Sequence, residues 1–233
     1  MKIAVMQPYW VPYIGYFQLM NAVDEFVIYD HIKYTKKGWI NRNRILFNEK
    51  ETYITLPLKK ASDFLDIDKR FLAESWKMDR NKMIRRITDA YRNAPFFETV
   101  FPVIKESILF DHDNLFQFIF NSVRVIKEYL DIKARLIVSS SIPGVDTLKS
   151  QEKVLAICNA RHANVYINPV GGQALYDSKA FEKQHVNLHF LKTGDITYPQ
   201  SQIKFIPSLS IIDVMMFNSK EETKELLKAF SLI

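Results

Sequence analysis

The stretch Met1 to Asp30, MKIAVMQPYWVPYIGYFQLMNAVDEFVIYD, decides the fold. Ile3, Ala4, Val5 and Met6 form a short apolar run of the kind found in buried parallel strands. Gln7-Pro8-Tyr9-Trp10-Val11-Pro12 interrupts it, because each proline fixes φ and removes a donor. Pro12 is placed to open a helix from Tyr13 to about Val23. Phe26, Val27, Ile28 and Tyr29 supply the next strand. Strand, helix and strand within about 30 residues make a βαβ unit, the usual beginning of an α/β domain.

Outward from this unit the pattern changes twice. Trp39–Phe47 and Thr52–Leu58 are β-prone runs around Asn48-Glu49-Lys50, which predicts a hairpin. Residues 63–131 are mostly helical: Met83, Ile84, Ile87, Ala90 and Tyr91 keep helical spacing, as do Leu115, Ile119, Val123, Ile126 and Leu130. Pro95 and Pro102 divide the stretch. It reads as an insertion set to cover a cleft. Alternation then resumes, with strands at Arg135–Ser139, Asn164–Asn168 and Asn187–Leu191. Helices are expected at Ser150–Ala160, Asp177–Lys183, Ile206–Asn218 and Ser219–Phe230. The expectation is an α/β fold with a parallel-sheet, Rossmann-like core, a helical insertion and a small β-hairpin. Its parts are 1–62 (first βαβ half with the hairpin), 63–131 (insertion) and 132–233 (second α/β half), forming one composite domain.

The 233 residues are 48% hydrophobic and 25% charged, ordinary for a globular chain. A single cysteine, Cys158, excludes an internal disulfide and a cysteine-rich metal site. No apolar run spans a membrane, and Met1–Val5 is too short for a signal-peptide core. A soluble cytoplasmic chain with reduced Cys158 is expected. The net charge of +6 points to anionic partners. Residues 31–44 hold Lys33, Lys36, Lys37, Arg42 and Arg44 and no acidic residue. One basic patch without a recognition motif falls short of a DNA-binding footprint.

Four segments could carry chemistry. The loop Gln7-Pro8-Tyr9-Trp10-Val11-Pro12-Tyr13-Ile14-Gly15-Tyr16 sits at a strand's carboxyl end, where open α/β sheets bind ligands. Its prolines limit its freedom, and Tyr9, Trp10, Tyr13 and Tyr16 suit a base or sugar, with Gln7 reading polar groups. In Trp39-Ile40-Asn41-Arg42-Asn43-Arg44, Arg42 and Arg44 share a strand face and suit a phosphate or carboxylate. A solvated hairpin edge is the plainer explanation of those cations. Tyr166 to Asp177 places Asn168, Gly171, Gly172 and Tyr176 at a second strand end, where glycines allow close backbone approach. The fourth segment is Tyr198-Pro199-Gln200 with Ser208-Leu209-Ser210-Ile211-Ile212-Asp213, in which Ser210 to Asp213 reads as a helix cap. The best-placed carboxylate for a general base is Asp30, at the end of the second strand. The histidines at 31, 112, 162, 185 and 189 match no zinc motif, and no P-loop, G-x-G-x-x-G or G-x-S-x-G is present. No metal ligands are assigned. Cys158, among Val154, Leu155 and Ile157, reads as a buried inert thiol.

The segments MQPYWVPYIGYFQLM, WINRNRI, YINPVGGQALYD, YPQ and LSIID, in this order, resemble the WbqC-like protein family over nearly the whole chain. That resemblance implies a bacterial role in O-antigen or other surface-polysaccharide biosynthesis, with glycine (aminoacyl) transfer to an amino sugar as the suggested activity. It implies no particular catalytic residues. Tyr13-Ile14-Gly15-Tyr16 also resembles the His-Ile-Gly-His motif of class I synthetases and nucleotidylyltransferases, with both histidines replaced by tyrosine. Thr147-Leu148-Lys149-Ser150 is faintly similar to that superfamily's lysine–serine loop. Three readings stand. The first is a small-group transferase acting on an anionic small molecule such as a nucleotide-linked amino sugar. The second is an ATP- and Mg2+-dependent nucleotidylyltransferase-like enzyme with Lys149 and Arg42 near the phosphates. The third is a non-catalytic binding protein of the same pathway.

Overall fold

A computed structural model describes residues 1–200 and 204–233. Its main sheet has β1 (Lys2–Met6), β2 (Glu25–Ile28), β5 (Arg135–Val138), β6 (Val165–Pro169), β7 (Asn187–Thr193) and β8 (Phe230–Leu232). The spatial order is β5-β2-β1-β6-β7-β8, all parallel except β8. Among the strands of this sheet that is third, second, first, fourth, fifth, sixth. The order therefore reverses between β1 and β6, the switch point where such sheets bind ligands.

The pleat sorts side chains onto two faces. Ala4, Phe26, Ile28 and Ile167 point into a core with α1 (Ile14–Asn21) and α7 (Ile211–Phe217). Ile3, Val5, Val27 and Tyr166 point the other way, against α5 (Ser150–Ala160) and Phe181 of α6 (Ser178–Glu182). Cys158 lies in this second core, and burial pushes its thiol up to about 12.

The hairpin is β3 (Arg42–Phe47) and β4 (Lys50–Thr55), a separate antiparallel pair. Asn48 and Glu49 both hold positive φ, 48° and 59°, the geometry that matches a two-residue turn to strand twist. The insertion forms α2 (Trp76–Tyr91), α3 (Phe97–Leu109) and α4 (Leu115–Tyr129), packed into the first core. Pro102 lies inside α3 rather than between helices. It is the sixth residue of α3, past the first turn, so the helix goes without the ladder bond from position 102 to the Glu98 carbonyl.

The C-terminal region departs from expectation. Pro207 disfavours helix at Ile206, and Ser208 holds φ at 58°, so α7 starts only after Ser210, which caps it. α8 (Lys220–Leu226) opens with a capping box of Ser219 and Glu222. It stops short of Phe230 because the chain turns to pair with β7, with Leu191 opposite Leu232 and Thr193 opposite Phe230. Val170–Leu175 is a 3₁₀ helix rather than a plain turn.

At the amino ends of the strands, buried Glu25 accepts from Arg161 at 2.7 and 2.8 Å and also pairs with Arg135. The Arg161 hydrogen bond and the two cations hold the Glu25 carboxyl below its ordinary value of 4.5 against an opposing effect of burial. A lowered carboxyl stabilises the fold above its ordinary value and loses that contribution as pH falls through the folded value. Glu25→Gln is expected to cost about 1–2 kcal/mol near neutral pH, the low end because both guanidinium groups meet water. Urea denaturation should show the gap to the parent closing below about pH 4.5. A gap that is constant with pH would assign the loss to packing alone.

Candidate functional site

The ladder between β1 and β6 runs only through Lys2–Val165 and Ile3–Tyr166. β1 stays paired with β2 as far as Met6 opposite Ile28, and β6 with β7 as far as Pro169 opposite Leu191. The two strands at the switch point therefore part before their carboxyl ends. A cavity of about 1220 Å3 opens there, lined by Val5 and Met6 on one side of the split and Asn168 and Pro169 on the other. Ligand pockets commonly measure about 300–1,000 Å3, so this one is large enough for more than one ring.

Four segments meet in its wall: Gln7, Tyr9, Pro12 and Tyr13 from the β1–α1 loop; Trp39, Asn43 and Arg44 from the hairpin; Gly171, Gly172, Leu175 and Tyr176 after β6; and Leu148, Lys149, Ser150 and Lys153 at the start of α5. Tyr29, His31, Ile32, Lys33, Asp66, Asp146 and Ser208 complete it. Four cationic side chains face two carboxylates, so the cavity favours an anion. Helices α2 to α4 contribute nothing to the wall, contrary to the expectation that the insertion covers the cleft.

Several residues singled out from sequence lie elsewhere. Trp10 is fully buried in the first core, and Pro8 is buried beside it. Tyr16 is core with a polar tip, its hydroxyl donating to the Gln7 carbonyl at 3.1 Å. Asn41 is buried, accepting from Tyr34 at 2.8 Å and donating to the Leu56 carbonyl at 2.8 Å. Arg42 does share a face with Arg44, but it folds back to the Gly38 and Lys37 carbonyls and over the Tyr53 ring. Asp30 is buried behind the wall, accepting from Ser139 Oγ at 2.7 Å and the Ser140 N–H at 3.0 Å. Burial raises its carboxyl, but the Ser140 and Ser139 hydrogen bonds outweigh this and leave it below the ordinary value. That is a poor setting for a base and a good one for holding a neighbour.

The neighbour is His31. Its Nε2 lies 3.8 Å from Asp30 and 3.4 Å from Asp68, and its Nδ1 lies 3.2 Å from Asp146. The imidazole is one-third exposed and lines the cavity. Among the described residues no group of three or more His, Cys, Asp or Glu is arranged to hold a metal ion.

Aromatic rings form the other half of the site. Burial raises the phenols of Tyr9, Tyr13 and Tyr29, so all three stay protonated donors. Tyr13 folds its ring over Gly15, where a Cβ would meet the ring's Cζ at 2.6 Å and the hydroxyl oxygen at 2.7 Å. Asn168 is fixed by the Tyr166 hydroxyl at 3.0 Å, and a Cβ at Gly172 would overlap its amide. Arg44 donates to Glu51 at 2.6 Å and to the Ser208 carbonyl at 3.2 Å, and lies 5.3 Å over Trp39.

Tyr29, His31, Asp146 and Lys153 were not singled out as site residues from the sequence, while Asn43 and Ser208 stood in candidate segments without a role of their own. Tyr29 and His31 flank the carboxyl end of a strand, a usable signal. Lys153 has a sharper one: it stands four residues after Lys149 on the stripe with Val154 and Ile157, where an ionisable group is out of place. Asp146 comes from a loop with no pattern.

The family model for the WbqC-like protein family matches residues 7–225, and the chain belongs to that family. The uncharacterized protein Rv1507c of Mycobacterium tuberculosis (strain ATCC 25618 / H37Rv) is 27% identical over 231 residues, covering 97% of each chain. No solved structure matches the chain. No helix among the described residues is long and apolar enough to cross a membrane.

The Tyr13–Gly15 contact gives a test of how the wall is held. Ala normally gains about 1 kcal/mol over Gly in a helix. The obstacle to a Cβ at Gly15 is the mobile end of a ring. Gly15→Ala is therefore expected to keep the melting temperature within about 4 °C of the parent. A crystal structure of the variant should show Tyr13 displaced into the cavity. An unmoved Tyr13 with a large loss of stability would mean that the ring cannot yield.

Proposed function

We propose that this WbqC-like protein is a transferase acting on an anionic, ring-bearing small molecule, a nucleotide-linked amino sugar, and placing a small group such as glycyl on its amine. One observation carries the reading: the β1–α1 loop, the hairpin, the turn after β6 and the start of α5 converge on one large cavity with an excess of cations and a wall of aromatic rings. Tyr9, Tyr13 and Trp39 would stack on the base or sugar, with Gln7, Asn43 and Asn168 reading polar edges. Gly171 and Gly172 would let the backbone approach. Arg44 and Lys149 would hold anionic groups.

Acyl transfer to an amine forms an N–C bond, expels the donor's leaving group and releases one proton from nitrogen. His31 is the group on the wall suited to take that proton. Asp30, Asp68 and Asp146 would orient the ring and stabilise the imidazolium that forms. Asp30 in this scheme is a positioning residue. A role in surface-polysaccharide assembly fits such a substrate and rests on the family.

A second reading has a specific observation behind it. Tyr13 of the Tyr-Ile-Gly-Tyr segment lines the same cavity as Lys149 and Ser150, an arrangement that also suits Mg·ATP and nucleotidylyl transfer. Calorimetric titration separates the two. The transferase reading expects saturable binding of a uridine diphosphate amino sugar and much weaker binding of Mg·ATP. The reverse order would favour nucleotidylyl transfer, and binding of an intact precursor without turnover would favour a carrier.

With an activated glycyl ester as donor, His31→Ala is expected to lower kcat by about 10²–10⁴-fold. Asp30→Asn should cost much less, through altered orientation alone. Mass spectrometry of the product gives both rates. A larger effect at Asp30 than at His31 would return the base role to Asp30.

A further inference from the structure

In doubly wound folds the pyrophosphate usually sits at the helix that follows the first strand, where a glycine lets it come close. This chain has a glycine in that position, Gly15, but the Tyr13 ring fills the space beside it. The first turn of α1 is also buried, with Ile14, Gly15, Tyr16 and Phe17 all inaccessible. The usual phosphate seat is closed.

The start of α5 has what α1 lacks. Lys153 is only 6% exposed, yet among the described residues its ammonium makes no ion pair and no hydrogen bond. It lies 5.3 Å over the Tyr29 ring and lines the cavity. Its stem is buried while its ammonium opens onto the cavity, where it is free to pair with an anion that enters. Lys149, the extended residue that precedes the helix, also lines the cavity. The N–H groups of Ser150, Gln151 and Glu152 donate to no protein acceptor among the described residues. The carboxylate nearest in sequence on the wall, Asp146, is engaged by His31 at 3.2 Å.

We infer that the cavity takes a nucleoside diphosphate with its phosphates on Lys153, Lys149 and the amino end of α5, and its rings toward Tyr13 and Trp39. The phosphates thus move from the first crossover to the one that follows β5, and the ligand lies across the split between β1 and β6. The inference rests on the proposed nucleotide-linked substrate and assigns its orientation.

The test uses uridine diphosphate and inorganic pyrophosphate as probes, titrated by calorimetry at low salt into the full-length protein. Both should bind the parent. Lys153→Met keeps the apolar stem and removes the charge. It should weaken both probes by roughly 10- to 100-fold, the range for a hydrogen bond to a charged group. Lys153→Arg should restore most of the loss. Trp39→Ala should weaken uridine diphosphate and leave pyrophosphate unchanged. Should Lys153→Met fail to fold by circular dichroism, exposed Lys149→Met applies the same test.

Parent-like binding of both probes to a folded Lys153→Met protein would overturn the orientation while leaving the nucleotide reading standing. Failure of both probes to bind the parent would overturn the orientation and the nucleotide-linked substrate together. Loss of pyrophosphate binding with Trp39→Ala would reverse the assigned polarity.

Discussion

Val11 carries the constraint on which the site depends. It is a buried β-branched residue with φ at 39°, between two prolines at positions 8 and 12. Such a conformation costs of order 1–3 kcal/mol and persists only when its surroundings impose it. Here they do. The Ser210 hydroxyl donates to the Val11 carbonyl at 2.7 Å, and the Ile211 N–H donates to the Pro12 carbonyl at 2.8 Å. The Trp10 N–H reaches the Ile40 carbonyl at 3.0 Å, and Asn43 reaches the Trp10 carbonyl at 3.3 Å. The loop after β1 is thus clamped between α7 and the hairpin. It leaves the sheet instead of following β6, and the split below it stays open for a ligand. Because the clamp exists before binding, little ordering entropy is left to lose when a ligand arrives.

The clamp needs its own support, and a buried carboxylate supplies it. Asp213, in the first turn of α7, accepts from Tyr91 at 2.9 Å, Tyr198 at 2.7 Å and Gln200 at 2.6 Å. Tyr91 in turn accepts from the Leu46 N–H of β3 at 3.1 Å. Burial raises the Asp213 carboxyl, and the three donors pull it back without cancelling the rise. One chain of hydrogen bonds thus joins the insertion, the hairpin, α7 and the segment after β7. Helices α2 to α4 touch no part of the cavity wall, yet through Tyr91 the insertion fixes both jaws of the clamp.

The sequence carried the core of this arrangement in plain form. Apolar runs placed five of the six strands of the main sheet, and the prolines around Tyr9 marked the loop at the switch point. β8 was illegible because Phe230–Leu232 is short and gains strand character only from the edge of β7. The site divides along the same line. Periodicity shows that Arg42 and Arg44 share a face, and they do. It cannot show that Gly38 and Lys37 carbonyls capture one while the other reaches the cavity. Tyr16 and Trp10 read as ligand-facing for the same reason: their spacing is known before their surroundings are.

Lys153 shows where such surroundings can still be read. A lysine on an apolar stripe violates the rule that charges avoid the core, and such violations concentrate where function overrides packing. Asp213 violates it too, beside Ile211, Ile212 and Val214. The difference between them is satisfaction. Asp213 has three protein donors, so its burial is explained by architecture. Lys153 has no protein acceptor among the described residues, only the Tyr29 ring beside it and an open cavity in front of its ammonium, so its charge is left for something that enters. A buried charge in the sequence therefore poses one question with two structural answers, and its hydrogen-bond partners decide which applies.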